Sequence, residues 1–572
     1  MLIPKKPLLI FPALLLARTV MAQPALTVND FQCFVNKYVV ADPYANCDGS
    51  TAAPVLTAND FQCFLNKFAA GDLWADCDQS GAPPVGWTDL GVAELKFYVS
   101  PTGSDSNPGT QAAPFRTVNR GYQSLRDGHR DWLLLAAGGV WSETLSLNKS
   151  ANSMTDYQVI TSYGTGPRPR INGIFASGGV IRRGVAITEL ELVGSGQQNG
   201  IAILESWGHI LLEGLIVRGY HVNIAIQETG PGRLPDIKIR RCLIADAFDA
   251  SGAHSEGIFM GSCDNWLIEE CAFVDNGWLN QSGPSGDGFS HSIYIHQTCG
   301  SGTIRGIVSA RPGSHGGQQR PGGLAEWNAF FECPIAFYQG QSDSGVTAPV
   351  NVCQNSIAID SRDLANGNLR GQGFVLDAAP VSNTVYRNIC AHQAKGTGNV
   401  TAFDLTLNTA TVQQNLVFDW TYNGACWGTA FQWEGGVGAV NFFGNWAIQP
   451  NHGMCVRNSR AGISYHDNTY YTTNGHGCQG YGSFSEGVTG GDDWAWWRPR
   501  AVESGSVFQA SPTTFDFTPR AFLVAHGVAP GTNPLDTYLQ KVRAAYATKS
   551  SFDRTYTGYG YNEWAHGVAG WK

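Results

Sequence analysis

Three short segments of the chain carry side chains suited to acid–base chemistry, and they carry them in the same order. Ser255-Glu256-Gly257-Ile258-Phe259, Ser290-His291-Ser292-Ile293-Tyr294 and Ser314-His315-Gly316-Gly317-Gln318 align so that Glu256, His291 and His315 share one position and Phe259, Tyr294 and Gln318 another. In strands, successive side chains alternate between faces. Ile258 and Ile293 then point inward, and Tyr294, His296, Gln318 and Arg320 share the outer face, with Tyr338 extending the row on the next turn. Stacked strands lie about 4.8 Å apart, so one substrate can touch several of these groups.

The inventory fits cleavage of a uronic-acid polysaccharide by β-elimination. That reaction needs a cation or amide against the substrate carboxylate, a base for the C5 proton and an acid for the leaving oxygen. Arg320, with Arg311 or Gln318, suits the first role, His291 or His315 the second and Tyr294 the third. Histidine suits the base role because its ordinary pKa, about 6.5, lies near working pH. His296, Tyr338, Arg311 and Glu256 are expected to hold the sugar.

Other readings remain open. A glycoside hydrolase needs paired carboxylates on neighbouring turns, which Asp246, Asp249, Glu256 and Asp287 would supply, and Asp246, Asp249 and Asp287 are also candidates for calcium at an acidic bend. A C5-epimerase would use nearly the same His/Tyr/Arg set as a lyase. A glycan-binding or adhesive protein would instead stack sugars on Trp494, Trp496 and Trp497, which otherwise plug the end of the fold. The plain alternative for the histidines is that polar groups outside a coil are merely solvated.

The elements that must position these residues return as a pattern: Ile237/Ile239 before Cys242, Trp266/Ile268 before Cys271, Val350/Val352 before Asn355, Ala410/Val412 before Asn415, Val440/Phe442 before Asn445 and Ile463/Tyr465 before Asn468, with Asn328 and Asn388 in the same slot. Short period-2 strands recurring every 22 to 35 residues or so, with bends rich in Gly, Asn and Ser, indicate a solenoid. Stacked amides one strand spacing apart can bond up the coil as a ladder. The repeat resembles the right-handed parallel β-helix, pectate-lyase-like superfamily of secreted carbohydrate-active proteins. The resemblance implies an all-β fold, a polysaccharide substrate and, among that superfamily's activities, polysaccharide lyase chemistry. Phe97-Tyr98-Val99-Ser100-Pro101-Thr102-Gly103-Ser104-Asp105-Ser106-Asn107-Pro108-Gly109-Thr110 resembles the segment that opens many bacterial β-helix domains, and implies a helical cap over 117–126 before a first strand at 131–136. Ser314 to Gly323 resembles a stretch of bacterial β-helix proteins of no assigned mechanism.

The expected organisation is a signal peptide over 1–22 (Lys5-Lys6, an apolar stretch, Val20-Met21-Ala22), a duplicated module over 23–80, a linker over 81–93, the β-helix over 94–510 and a tail over 511–572 whose helix, 534–550, packs on the last turns. In the module, Leu26-Thr27-Val28-Asn29-Asp30-Phe31-Gln32-Cys33 returns as Leu56-Thr57-Ala58-Asn59-Asp60-Phe61-Gln62-Cys63. This resembles the dockerin-like anchoring modules of secreted bacterial proteins, which implies a cohesin-like or cell-surface partner. Asn46, Asp48, Ser50 and Asp60 are its candidate calcium ligands, and a Cys47–Cys63 bond is the alternative brace.

Export permits the fourteen cysteines to pair. Cys263 and Cys299 are expected to stack on adjacent turns, either bonded or as an apolar row, and so are two of Cys426, Cys455 and Cys478. A formal charge of −9, with 37 basic against 46 acidic residues and no basic run, argues against a nucleic-acid partner. No stretch beyond the first 25 or so residues is long and apolar enough to span a bilayer. Nucleotide-binding and zinc motifs are absent from the sequence.

Overall fold

The computed structural model describes residues 34, 57–69 and 86–571, apart from 177, 231, 279–285, 341–349, 365–367, 379–381, 398–399, 422–427, 435–437, 452, 460, 474–483 and 487–490. The chain forms two units, Met1–Asp89 and Leu90–Lys572. In the first, a helix runs from Ala58 to Ala69, and Phe34 stacks on Phe64 with centroids 4.2 Å apart. Asp60 is buried there, and its Oδ2 accepts from the Thr57 amide at 2.7 Å. The other calcium candidates, Asn46, Asp48 and Ser50, lie outside the described residues, as do Cys47, Cys426, Cys478 and the expected signal peptide.

The second unit is a right-handed parallel β-helix. Its described strands form three long sheets of 14, 13 and 14 members, in which every neighbour but the last pair runs parallel. The first sheet runs from Lys96–Val99 to Ile463–His466, the second from Arg170–Ile171 to Val507–Phe508, and the third from Thr144–Leu147 to Gly491–Asp492. Inward positions stack like on like. Leu212, Ile239, Ile268 and Ile304 form one column, and Phe374, Phe403 and Phe431 another, with rings stacked 5.4 and 5.0 Å apart.

The expected amide ladder lies at the bend between the first two sheets. Asn388 donates from its amide N–H and from Nδ2 to Asn415 Oδ1 (3.0 Å each), Asn415 does the same to Asn445 Oδ1 (3.0 and 2.9 Å), and Asn445 to Asn468 Oδ1 (2.9 and 3.3 Å). Asn355 is corrected by one position. It takes the left-handed bend at φ 50°, and Ser356 forms the rung, accepting from Asn328 and donating its N–H to Asn388. Lower in the coil Cys242 and Cys271 occupy the slot. Eight buried cysteines, Cys242, Cys263, Cys271, Cys299, Cys333, Cys353, Cys390 and Cys455, are free thiols, so widespread pairing is not what holds the solenoid. Cys263 and Cys299 do stack, as the amide of one meets the sulfur of the other at 3.4 Å.

The coil is closed at both ends. The opening helix, Val118–Ser124, is capped by Thr117, and Glu143 accepts from the Val118 and Asn119 amides. Gly121 lets it approach, since a Cβ there would stand 2.5 Å from Val99 and 2.7 Å from Leu133. At the far end, helix Trp494–Arg500 buries Trp497 against Phe484 and Tyr465, and Trp494 and Trp496 pack partly buried beside it. These tryptophans serve as the plug.

The tail departs from expectation. Its helix ends at Ala545, and it covers the middle turns of the second sheet instead of the last ones. Leu535, Tyr538, Leu539 and Val542 share a core with Ala272, Val308, Phe331 and Ile357, and Tyr546 Oη donates to the Glu270 carbonyl at 2.6 Å. A sheet apolar on both faces must be covered on both. Among the described residues no helix is long and apolar enough to cross a membrane.

Asn415 accepts from Asn388 and donates to the Val385 carbonyl (2.9 Å) and to Asn445. Asn415→Ala strands several buried polar groups, each costing about 1–3 kcal/mol. The variant is expected to lose about 3 kcal/mol or more of stability, seen as a lower denaturant midpoint. An unchanged midpoint would show that the ladder does not hold the bend.

Candidate active site on the third sheet

The outer face of the third sheet carries the polar columns. Register places Phe259 beside Tyr294, Tyr294 beside Gln318 and Gln318 beside Tyr338. The neighbouring column follows from the same pairings. Ile258 pairs with Ile293, and the Gly257 amide donates to the His291 carbonyl at 3.0 Å, which sets Glu256 next to His291. Three segments far apart in sequence thus present one surface because each begins a strand at the same height.

The geometry of this surface is close. His291 stacks on Tyr294 with ring centroids 5.0 Å apart and lies 4.6 Å from the His315 ring. His291 Nδ1 stands 3.6 Å from Glu256 Oε1, beyond good hydrogen-bond length. Both His291 ring nitrogens are buried and without a hydrogen-bond partner. His315 Nδ1 is 2.9 Å from Ser314 Oγ. Arg320 Nη1 donates to Tyr294 Oη at 3.1 Å, and His296 Nδ1 meets Thr298 Oγ1 at 2.9 Å. Tyr338 turns the other way along the coil, donating to Asp377 Oδ2 at 2.8 Å.

Burial sets the titration behaviour. It raises the pKa of Glu256, against the pull of His291, His254 and His221. It holds His315 well below the ordinary histidine value, aided by the charges of His291, Arg370 and Arg320. His296 is lowered by burial and by Arg320.

A cleft of about 290 Å³ opens over the Glu256 end of these columns. Glu256, His291, Tyr294 and Phe259 line one part. The rest comes from Asn199, His221, Val222, Ala225, Gln227, His254 and Phe289. His221, His254, Asn199, Gln227 and Phe289 were not expected. One signal for His221 was present: Val222-Asn223-Ile224-Ala225 is the preceding return of Glu256-Gly257-Ile258-Phe259, with Val222 paired to Glu256 and Ala225 to Phe259.

Arg311 does not belong here. Its side chain is committed to the tail interface, with Nε 2.8 Å from Asp275 Oδ1 and Nη1 2.6 Å from Asp536 Oδ1. The acidic bend does not converge either. Asp246 pairs with Arg543 of the tail at 2.7 Å, Asp249 pairs with His221 at 2.9 Å, and Asp287 accepts from the Phe289 amide and Ser290 Oγ. Among the described residues no group of three His, Cys, Asp or Glu is placed to hold a metal.

No protein-family model matches the chain, and no curated protein matches it. Solved structures similar in chain path include a rhamnogalacturonan lyase, 17% identical over 57% of this chain and 82% of that one, at a TM-score of 0.36. A GH136 lacto-N-biosidase from Eubacterium ramulus is 13% identical over 79% of this chain and 72% of that one, at 0.33. The pectate lyase Pel9A is 11% identical over 58% and 77%, at 0.32.

The depressed pKa of His315 has a thermodynamic consequence. Unfolded, the residue takes a proton below about pH 6.5, whereas folded it resists until far lower, so stability falls as pH drops from 6.5. His315→Gln is expected to flatten the stability profile between about pH 6.5 and 5. Equal slopes in variant and parent, by denaturant unfolding, would contradict this.

Proposed function

We propose that the protein is an exported carbohydrate-active enzyme that cleaves a uronic-acid-containing polysaccharide by β-elimination in this cleft. The observation that carries the reading is His291, a buried imidazole lining the cleft whose Nε2 has no hydrogen-bond partner and whose Nδ1 stands 3.6 Å from Glu256. Leaving buried polar atoms unpaired costs about 1–3 kcal/mol each, which a purely structural histidine would avoid by bonding. A substrate proton gives such a nitrogen its partner.

The chemistry follows from the surrounding groups. Arg320 sets positive charge on the face where a uronate carboxylate would lie, which makes the C5 proton more acidic. His291 takes that proton, the C–H electrons form the C4=C5 double bond, and the C4–O4 bond breaks. Tyr294, stacked on His291, offers its hydroxyl proton to the departing oxygen. His315 is a weak base because burial and its cationic neighbours depress its proton affinity, so His291 is preferred for that role. Phe259 and the two-thirds-exposed Phe289 supply apolar faces for sugar rings. A coil with groups repeating every 4.8 Å or so suits a polymer better than a small molecule.

Hydrolysis is a second reading, favoured by a carboxylate group farther along the same face. Asp404 is buried and its pKa is pushed up to about 7, by burial first and then by Glu434 and Asp377. Register sets Asp404 beside Val375 and Gln432, and Asp377 beside Thr406, so the three carboxylates come from successive turns. Diagonal neighbours of this kind lie roughly 8 Å apart at Cα. A carboxyl protonated at neutral pH is the acid that glycoside hydrolysis requires.

Incubation of the protein with a panel of polyuronates is expected to raise ultraviolet absorbance from the new double bond. His291→Ala is expected to lower the rate by 100-fold or more, with Asp404→Asn close to the parent. Absence of any rise, together with reducing ends released from neutral glycans and lost in Asp404→Asn, would replace elimination by hydrolysis.

A further inference from the structure

We infer that His221 is a second acid–base residue of the cleft, and that Asp249 is the residue that positions it. The inference rests on the reading of the cleft as an elimination site and adds to it a proton donor on the side away from Tyr294.

His221 opens the strand one turn before Glu256, whose amide donates to the His221 carbonyl at 3.1 Å. Register sets Val222, the next residue, beside Glu256, so His221 stands one residue before that column, and its turn and that of His291 are two strand spacings apart, roughly 10 Å along the stack. The His221 ring lines the cleft and is one-third exposed, whereas the His291 ring is almost wholly buried.

The carboxylate behind His221 is fixed before it meets the ring. Asp249 is buried, and its Oδ1 accepts from the Ser251 amide (2.6 Å), Ser251 Oγ (2.5 Å) and the Ala253 amide (3.2 Å). Its Oδ2 faces His221 Nδ1 at 2.9 Å. Burial alone would raise the Asp249 pKa, but the Ser251 and Ala253 hydrogen bonds and the His221 charge bring it below the ordinary value. An ionised Asp249 fixes the proton on Nδ1. Nε2 is then the atom that exchanges a proton with whatever occupies the cleft.

This arrangement supplies what Tyr294 cannot. Tyr294 stacks on His291, so its proton reaches the side of the sugar from which His291 removes one. Where the C5 hydrogen and the C4 oxygen lie on opposite faces of the ring, the leaving oxygen needs a donor at the other end of the floor. There the step balances as follows: His291 takes the C5 proton, the C4=C5 bond forms as C4–O4 breaks, and O4 takes the proton from His221 Nε2. His221 is left neutral, its Nδ1–H still donated to the Asp249 carboxylate, and the cycle closes as His291 releases the C5 proton to solvent and the exposed edge of His221 takes one up.

The test uses the full-length protein and the polyuronate on which it gives the largest absorbance rise. His221→Gln is expected to lower kcat by 100-fold or more, with KM within about threefold. Asp249→Asn is expected to lower kcat in the same way, and imidazole nitrogen NMR should show His221 as the Nδ1-protonated tautomer in the parent and lose that preference in the variant. A kcat in His221→Gln within threefold of the parent, alongside an inactive His291→Gln, would overturn this proposal and leave the elimination reading standing. An Asp249→Asn protein with unchanged His221 signals would overturn the positioning role. No elimination by the parent on any polyuronate would overturn the reading of the cleft and this proposal with it.

Discussion

The rest of the structure depends on returning the chain, once per turn, to a strand directly above the last. The sharpest demand falls on the bend between the first and second sheets, where a single residue in the left-handed region turns the chain. Arg241, Glu270, Trp327, Asn355, Arg387, Gln414 and Asp467 all hold φ between 48° and 56° there. Left-handed backbone costs a non-glycine residue about 1–2 kcal/mol, and the coil accepts this on turn after turn. The residue that follows offsets it. In the upper turns its amide donates to the ladder side chain above, and in the lower turns Cys242 and Cys271 fill the same slot with sulfur. Bend and ladder together fix the height at which the next strand begins.

Fixed height turns sequence repetition into a site. Glu256, His291 and His315 come from strands with their own loops between them, yet they meet because all begin at the same level of the third sheet. The outer face of the second sheet has a different fate. Ala272, Val308 and Ile357 make it apolar, and the tail covers it, with Arg543 and Arg311 tying helix to coil through Asp246, Asp275 and Asp536. One outer face is spent on stability. The proposed chemistry falls to the third sheet, whose outer face carries the polar columns.

What the sequence revealed and what it hid divide along the same physical line. Period-2 alternation and the recurrence of Ile258 and Ile293 are local signals, so the columns containing Tyr294, Gln318 and Tyr338 were legible, as were the plug and the opening helix. The place of Arg311 depended on a tail more than 200 residues away meeting Asp275 from outside, which no local pattern encodes. Asn355 was mistaken for Ser356 because both are polar and the bend position tolerates Asn readily. His221 was overlooked because its turn carries Val222 and Ala225 where the later turns carry Glu256 and Phe259. The Asp377, Asp404 and Glu434 group carries no local signal, because the three stand on or just beyond strands of three separate turns and only the register brings them together.

The charge balance of the His column shows why two similar residues are not equivalent. Two imidazolium rings within 5 Å of each other would repel by several kcal/mol at an effective dielectric near 20, so His291 and His315 cannot both carry a proton. Their surroundings break the tie. Burial first, and then His291, Arg370 and Arg320, hold His315 well below the ordinary histidine value. His291 has Glu256 beside it, a carboxyl whose own pKa burial has raised. The column therefore sets a carboxyl beside His291 and cationic neighbours beside His315, and it is His315 that resists a proton. The His315 ring packs 4.6 Å from His291 on the side away from Glu256, and His291 in turn stacks on Tyr294 where both line the cleft, so the two histidines meet different surroundings although they share one column.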